Sequence, residues 1–212
     1  LAKNELAKKR GIYTTQTVWQ AKKVCPDLVL VPPRHARYQQ VSALVNQVYE
    51  GFTDRVEPAS IDESYLDVTH TLAYFGKSPH ALADMVRQQV HRDVGVTISV
   101  GVSFCKIFAK MGSDLKKPDA TTLITRENYK TLLWPLQVGN LLYAGKRTVE
   151  RLNGSGIFTI GDLAASREDT LERLLGKAGP MLWHYANGID DSPVLSRQEL
   201  PAPKSVGNGR TY

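Results

Sequence analysis

The chain has 212 residues, 42% hydrophobic and 23% charged, with 16 glycines and 11 prolines; this supports a buried core and excludes a disordered or low-complexity protein. Lys and Arg outnumber Asp and Glu by 27 to 21, giving a net charge of +6 and a pI near 9.3, which favours a polyanionic partner without demanding one. No stretch approaches the roughly 20 apolar residues of a membrane-spanning helix, residues 1–10 lack the apolar core of a secretory leader, and Cys25 and Cys105 show no metal-ligand spacing, which leaves them as free thiols of a reducing compartment.

Residues 1–10 predict a short basic amphipathic helix, with Leu6 and Ala7 among Lys3, Lys8, Lys9 and Arg10, ended by Gly11. A second short helix is expected over 17–23 with Val18, Trp19 and Ala21 inward, closed by Pro26. Leu28, Val29, Leu30 and Val31 read as a buried strand stopped by Pro32 and Pro33. Residues 38–49 place Tyr38, Val41, Leu44, Val45 and Val48 at helical spacing. There follows Ser60-Ile61-Asp62-Glu63-Ser64-Tyr65-Leu66-Asp67-Val68-Thr69, where Leu66 and Val68 face one way and Tyr65, Asp67 and Thr69 the other, the alternation of a strand with one buried face. Neighbouring strand residues point to opposite faces, so Asp62 and Glu63 can share one cation only where the backbone turns or bulges; a turn leading into the strand is expected. Two acids capping a hairpin are the plainest account of the pair.

A helix over 80–93, opened by Pro79, carries Leu82, Met85, Val86 and Val90 on one stripe, and its His80 and His91 have no partners at ligand spacing. Residues 94–102 alternate as a strand that can pair beside the acidic one. The helix over 103–115 has Ile107, Phe108 and Met111 inward and Lys106 and Lys110 one turn apart on a common side; Asp114, Lys116 and Lys117 gather before Pro118, and Leu123 and Ile124 close the layer. This order predicts an α+β fold with helices over one face of an antiparallel sheet, the split-βαβ pattern. From about 125–128 an all-helical unit is expected: a helix from Tyr129, a turn at Trp134-Pro135-Leu136, a helix-hairpin-helix over 141–164, and a last helical pair with Trp183 in the core. Residues 199–212 read as an exposed tail or linker.

Three blocks in order, residues 60–69, 101–118 and the stretch from Lys146-Arg147-Thr148 to Gly161-Asp162-Leu163, together with Lys204-Ser205-Val206-Gly207-Asn208, resemble the Y-family, or translesion, DNA polymerases of the polymerase IV and UmuC type. The resemblance runs over essentially the whole chain. It implies template-directed addition of deoxynucleotides (dNTPs) to a primer 3′-hydroxyl, often opposite damaged bases, with two Mg2+ ions. Asp62 and Glu63 would then be the catalytic and metal-binding acids, Lys117 would contact the nucleotide triphosphate, and Gly145, Lys146, Arg147 and Thr148 would bind DNA. Lys8 stands where the family has a phosphate-binding Arg and Glu5 where it has Tyr, and Tyr143 replaces the first glycine of the family's Gly-x-Gly hairpin. The implied domains are 1–34 partial fingers, 35–125 palm, 126–198 helical thumb and 199–212 linker toward a little-finger domain. Implied partners are primer–template DNA, the incoming dNTP and a sliding clamp reached through other regions, with no membrane, in the bacterial cytoplasm at the nucleoid. The family's opening strand with its first metal-binding Asp, the steric gate and the little finger have no counterpart here, so this chain alone is expected to be an inactive fragment. Two alternatives are a non-catalytic DNA-binding remnant of the fold and an unrelated metal-dependent phosphotransferase on a split-βαβ sheet.

Overall fold

Local capping chemistry shapes the first of the two units into which the chain divides in the computed structural model, Leu1–Tyr38 and Gln39–Tyr212; the described residues are 1–202, 205 and 207. Helix α1 (Glu5–Lys9) begins where the Asn4 side chain accepts from the Ala7 amide, and Gly11 at φ 84° turns the chain out of it. Helix α2 (Val18–Val24) opens with a Thr17/Gln20 capping box. Ile12, Ala21 and Cys25 form a small core against Leu1, Ala7 and Leu28. The inward faces differ from expectation: Leu6 is exposed, and Trp19 lies in solvent with the Lys23 ammonium 3.7 Å from its ring centre. With so few apolar residues to cover, each short helix buries only its narrowest face. Leu28 to Val31 is irregular chain rather than a buried strand, with Val29 and Val31 82% and 80% exposed. An apolar run becomes a strand only beside a partner, and no strand lies among the described residues of this unit.

The division falls within helix α3 (His35–Glu50). The second unit continues with β1 (Val56–Pro58) and β2 (Ser64–Leu66), an antiparallel hairpin, and the short helix α4 (Leu72–Phe75). Helix α5 (Pro79–Val94) is capped by Ser78, with Pro79 in its first turn and Gly95 left-handed at its end. Then β3 (Val100–Val102), α6 (Lys106–Leu115) and β4 (Thr121–Leu123) make a βαβ unit, its strands parallel and in register from Val100↔Thr121 to Val102↔Leu123. Helix α6 lies directly on β3, since a Cβ at Gly101 would stand 1.8 Å from the Ala109 carbonyl oxygen. The helical part comprises α7 (Tyr129–Leu133), α8 (Lys146–Gly154), α9 (Ile160–Ala165), α10 (Glu168–Leu175) and α11 (Ala178–Ala186).

The fold is α+β, but the single antiparallel sheet is corrected, among the described residues, to two separate two-stranded sheets, and the strand expected over 94–102 is reduced to β3, which pairs with β4 and not with the acidic hairpin. The physical reasons are local. Strand β4 is only three residues long, so among the described residues 96–99 have no strand beside them. Strand β2 stops because the Asp67 carboxylate accepts from the Thr69 amide at 2.9 Å, folding the chain into a turn. One apolar cluster runs from Phe108, Met111 and Ile124 to Leu133, Leu152, Leu163, Leu171 and Leu182, continuous across residues 125–126. A second lies under α5, around Phe52, Leu82 and Val86 with Val68 and Ile98. Both cysteines are free. Lys204, Val206 and Asn208 of the linker phrase, and most of the tail after Ala202, lie outside the described residues.

Candidate catalytic site and nucleic-acid interface

The β1–β2 register, Val56↔Leu66, Glu57↔Tyr65 and Pro58↔Ser64, leaves the residues from Ala59 to Glu63 as the connecting turn. The Ala59 and Ser60 amides both donate to the Glu63 carbonyl, at 2.9 and 3.1 Å, which closes it. The Ser60 hydroxyl donates to Asp62 Oδ1 at 2.7 Å and accepts from the Asp62 amide at 3.3 Å. Asp62 and Glu63 are therefore adjacent, exposed and carried on bent backbone, where neighbouring side chains need not point to opposite faces.

Helix α6 faces this hairpin with its lysines. Lys106 Nζ meets Glu57 Oε2 at 2.6 Å, with 13% and 18% of the two side chains exposed, and stands 5.2 Å from the Tyr65 ring centre. One turn on, Lys110 Nζ meets Glu63 Oε1 at 2.8 Å and Asp114 Oδ2 at 2.9 Å, and Asp114 Oδ1 in turn meets Lys117 Nζ at 2.7 Å. Burial pulls the Lys110 ammonium down, but its hydrogen bonds to Glu63 and Asp114 prevail and hold it above the ordinary lysine range. Burial pushes Asp114 up, and hydrogen bonds from Lys117 and Lys110 outweigh that and keep it below the ordinary carboxylate range. Burial, then the nearby Tyr143, raises the Tyr65 phenol. The segment after α11 is hooked to the same elements: Asp190 Oδ2 accepts from the Ile107 amide at 3.1 Å, Leu195 N donates to Glu57 Oε2 at 2.6 Å, and Arg55 donates to the Val194 carbonyl at 3.1 Å.

Two adjacent carboxylates on an open turn form an oxygen-only donor set, suited to a hard cation that keeps waters or takes phosphate oxygens as its other ligands. Among the described residues no group of three or more His, Cys, Asp or Glu side chains could hold an ion. A cation completed by substrate phosphates fits the residues present; a cage made of protein alone does not.

At the other expected contact, Ala144 N donates to the Leu141 carbonyl and Gly145 N to that of Tyr143, forming a tight turn whose left-handed residue is Tyr143 at φ 69°. A β-turn with positive φ at its third residue prefers glycine there, and Tyr143, braced against Tyr185 with ring centres 6.0 Å apart, occupies that position. Gly145 caps α8 without a side-chain bond, so the cap satisfies none of the first-turn amides, and beside them Lys146 and Arg147 are exposed and Thr148 partly covered. The structure thus joins Asp62's neighbour Glu63 to Lys117 in one network, gathers Gly145 to Thr148 at one helix start, and leaves Lys8 in the first unit, 3.7 Å from Glu5. Glu57 and the bridging roles of Lys106, Lys110 and Asp114 escaped the sequence reading; the shared side of Lys106 and Lys110 was the available signal.

A sequence profile of the impB/mucB/samB family matches residues 1–114. Over 212 residues the chain is 48% identical to DNA polymerase IV of Acetivibrio thermocellus, covering 100% of this chain and 53% of that protein. It is 42% identical over 205 residues to DNA polymerase IV 1 of Bacillus subtilis, 97% of this chain and 49% of that protein. The crystal structure of DinB from Sulfolobus solfataricus matches with a TM-score of 0.81 at 29% identity, covering 91% of this chain and 57% of that one. An insertion ternary complex of Dbh DNA polymerase matches with a TM-score of 0.81 at 29% identity over 90% of this chain and 56% of that one. The fold is that of the Y-family DNA polymerases. The chain belongs to the impB/mucB/samB family, and it spans about half the length of the curated relatives it matches.

Proposed function

We propose that this chain is part of a DNA-directed DNA polymerase of the translesion type, which adds dNTPs to a primer 3′-hydroxyl opposite damaged as well as intact template bases in DNA repair. The observation that carries this reading is the pairing of Asp62 and Glu63 on one turn, linked through Lys110 and Asp114 to Lys117. Asp62 and Glu63 hold the divalent cations, Mg2+ in this reading, together with substrate phosphates and water. Two such ions supply activation of the primer hydroxyl and neutralisation of the departing pyrophosphate.

Lys117 attracts the triphosphate as a mobile point charge. Lys106 and Glu57 keep the acidic hairpin docked on α6. Gly145, Lys146, Arg147 and Thr148 grip the DNA backbone with amides and cations, so they position the duplex without reading its sequence. In this reading residues 1–34 belong to the fingers, 35–125 to the palm, 126–198 to the thumb, and 199–212 lead toward a little finger. The whole protein works on primer–template DNA and dNTPs, with a sliding clamp, in the bacterial cytoplasm at the nucleoid. Primer extension by the whole protein with Mg2+ should proceed on an intact template and past a template lesion. No extension on either, by folded protein that still binds DNA, would overturn the reading in favour of a non-catalytic DNA-binding protein.

A further inference from the structure

We propose that Asp114 is a positioning residue for the incoming nucleotide, acting through Lys117 and anchored to the acidic hairpin by Lys110; the inference rests on the polymerase reading above. Its two oxygens serve different cations: Oδ2 lies 2.9 Å from Lys110 Nζ and Oδ1 lies 2.7 Å from Lys117 Nζ. A carboxylate at a helix end commonly pairs with a lysine three or four positions away, and such a pair alone directs nothing. Here the contact continues. Lys110, only 18% exposed, reaches on to Glu63 at 2.8 Å, so the last turn of α6 is tied through one largely buried ammonium to the proposed cation-binding turn.

The ends of this network differ in freedom. A largely buried ammonium must keep its carboxylate partners, so Lys110 stays between Glu63 and Asp114. Lys117 is 57% exposed and, among the described residues, its ion pair is to Asp114 alone, so exchanging that carboxylate for a polyphosphate costs little. Asp114 holds the Lys117 ammonium near the acidic turn before a nucleotide arrives, sparing the ordering of a four-carbon side chain on binding. Without its charge, Lys110 keeps Glu63 as its carboxylate partner, and Lys117 swings into solvent.

The test uses the whole protein on primer–template DNA, measuring equilibrium dNTP binding with Ca2+ in place of Mg2+ to hold off turnover, and KM and kcat with Mg2+. Asp114→Asn is expected to weaken dNTP binding and raise KM about tenfold, the scale of one lost charge-assisted hydrogen bond, while kcat changes by less than about threefold. Asp114→Glu should recover most of the affinity. In a Lys117→Ala background, adding Asp114→Asn should change affinity by less than about twofold, because the residue through which it acts is gone. Unchanged binding by Asp114→Asn, or the same loss in both backgrounds, overturns the proposal and leaves the polymerase reading standing. A wild-type protein that neither binds dNTP nor extends a primer overturns both.

Discussion

Glu57 and Glu63 stand six residues apart on the same hairpin, and each is met by one lysine of α6, yet their surroundings set them different tasks. Glu57 is largely covered and its Oε2 takes both the Lys106 ammonium and the Leu195 amide, each at 2.6 Å, so it has little left to offer a ligand and serves to dock the hairpin. Glu63 is open to solvent and meets Lys110 through one oxygen, which leaves the other for a cation. Glu57→Ala should therefore destabilise the fold by about 2 kcal/mol, since it strands a largely covered ammonium and a backbone amide together; a denaturant midpoint within error of wild type would contradict that. The adjacency of Asp62 and Glu63 and their place on a turn were legible, because alternation begins only after them. Their lysine partners were not: Lys110 lies 47 residues along the chain from Glu63, and no local periodicity records such a pairing. Tyr143 shows the same limit from the other side, for its sequence position announces a lost glycine, but only the backbone reveals that the left-handed turn persists around it.

Between elements, side-chain volume and charge decide the packing. Gly101 lets α6 rest on β3, and a Cβ there would collide with backbone at Ala109 and Ser113 rather than with a flexible side chain. Gly101→Ala is expected to destabilise by about 3 kcal/mol or to abolish soluble expression, whereas Gly145→Ala, with open space around its Cβ and φ −69°, should melt within a few degrees of wild type. Helix α5 is fastened to β4 by Asp84, which accepts from the Thr121 hydroxyl at 2.6 Å and pairs with Arg87 at 3.3 Å. The Thr121 bond, and after it Arg87, outweighs burial and holds the Asp84 carboxyl below its ordinary value. Its folded pKa is lower than its unfolded one, so its contribution is full above about pH 4 and is lost as pH falls further, through the folded pKa. Melting temperatures at pH 6 and pH 3 should show a larger acid-side loss for wild type than for Asp84→Asn; equal losses would refute the linkage. Helices with strong stripes and clear caps, α5 above all, were readable in the sequence. The strands were not, because the alternation over 96–102 tells which face is buried but not which segment supplies hydrogen bonds, and the Leu28 to Val31 run found no partner in its unit.

At the scale of the molecule, a charge of +6 gains meaning from where the cations stand. Those that line the acidic hairpin are spoken for by carboxylates, while Lys146 and Arg147 are exposed at a helix start suited to phosphate. DNA affinity of the whole protein should fall linearly with salt on logarithmic axes, and Lys146→Ala or Arg147→Ala should each lower that slope by about one, uniformly across sequences; an unchanged slope would remove these residues from the interface. The family and fold were readable in three ordered motifs, and the relatives and solved folds agree with them. The most direct test of the central claim is single-turnover primer extension by the whole protein beside its Asp62→Asn variant. Asn keeps an oxygen for the Ser60 hydroxyl and so preserves the turn, but it removes the charge a cation needs. The account predicts extension by wild type and a loss of about 10³-fold or more in the variant at unchanged DNA affinity. Equal rates in the two proteins would contradict a catalytic role for Asp62.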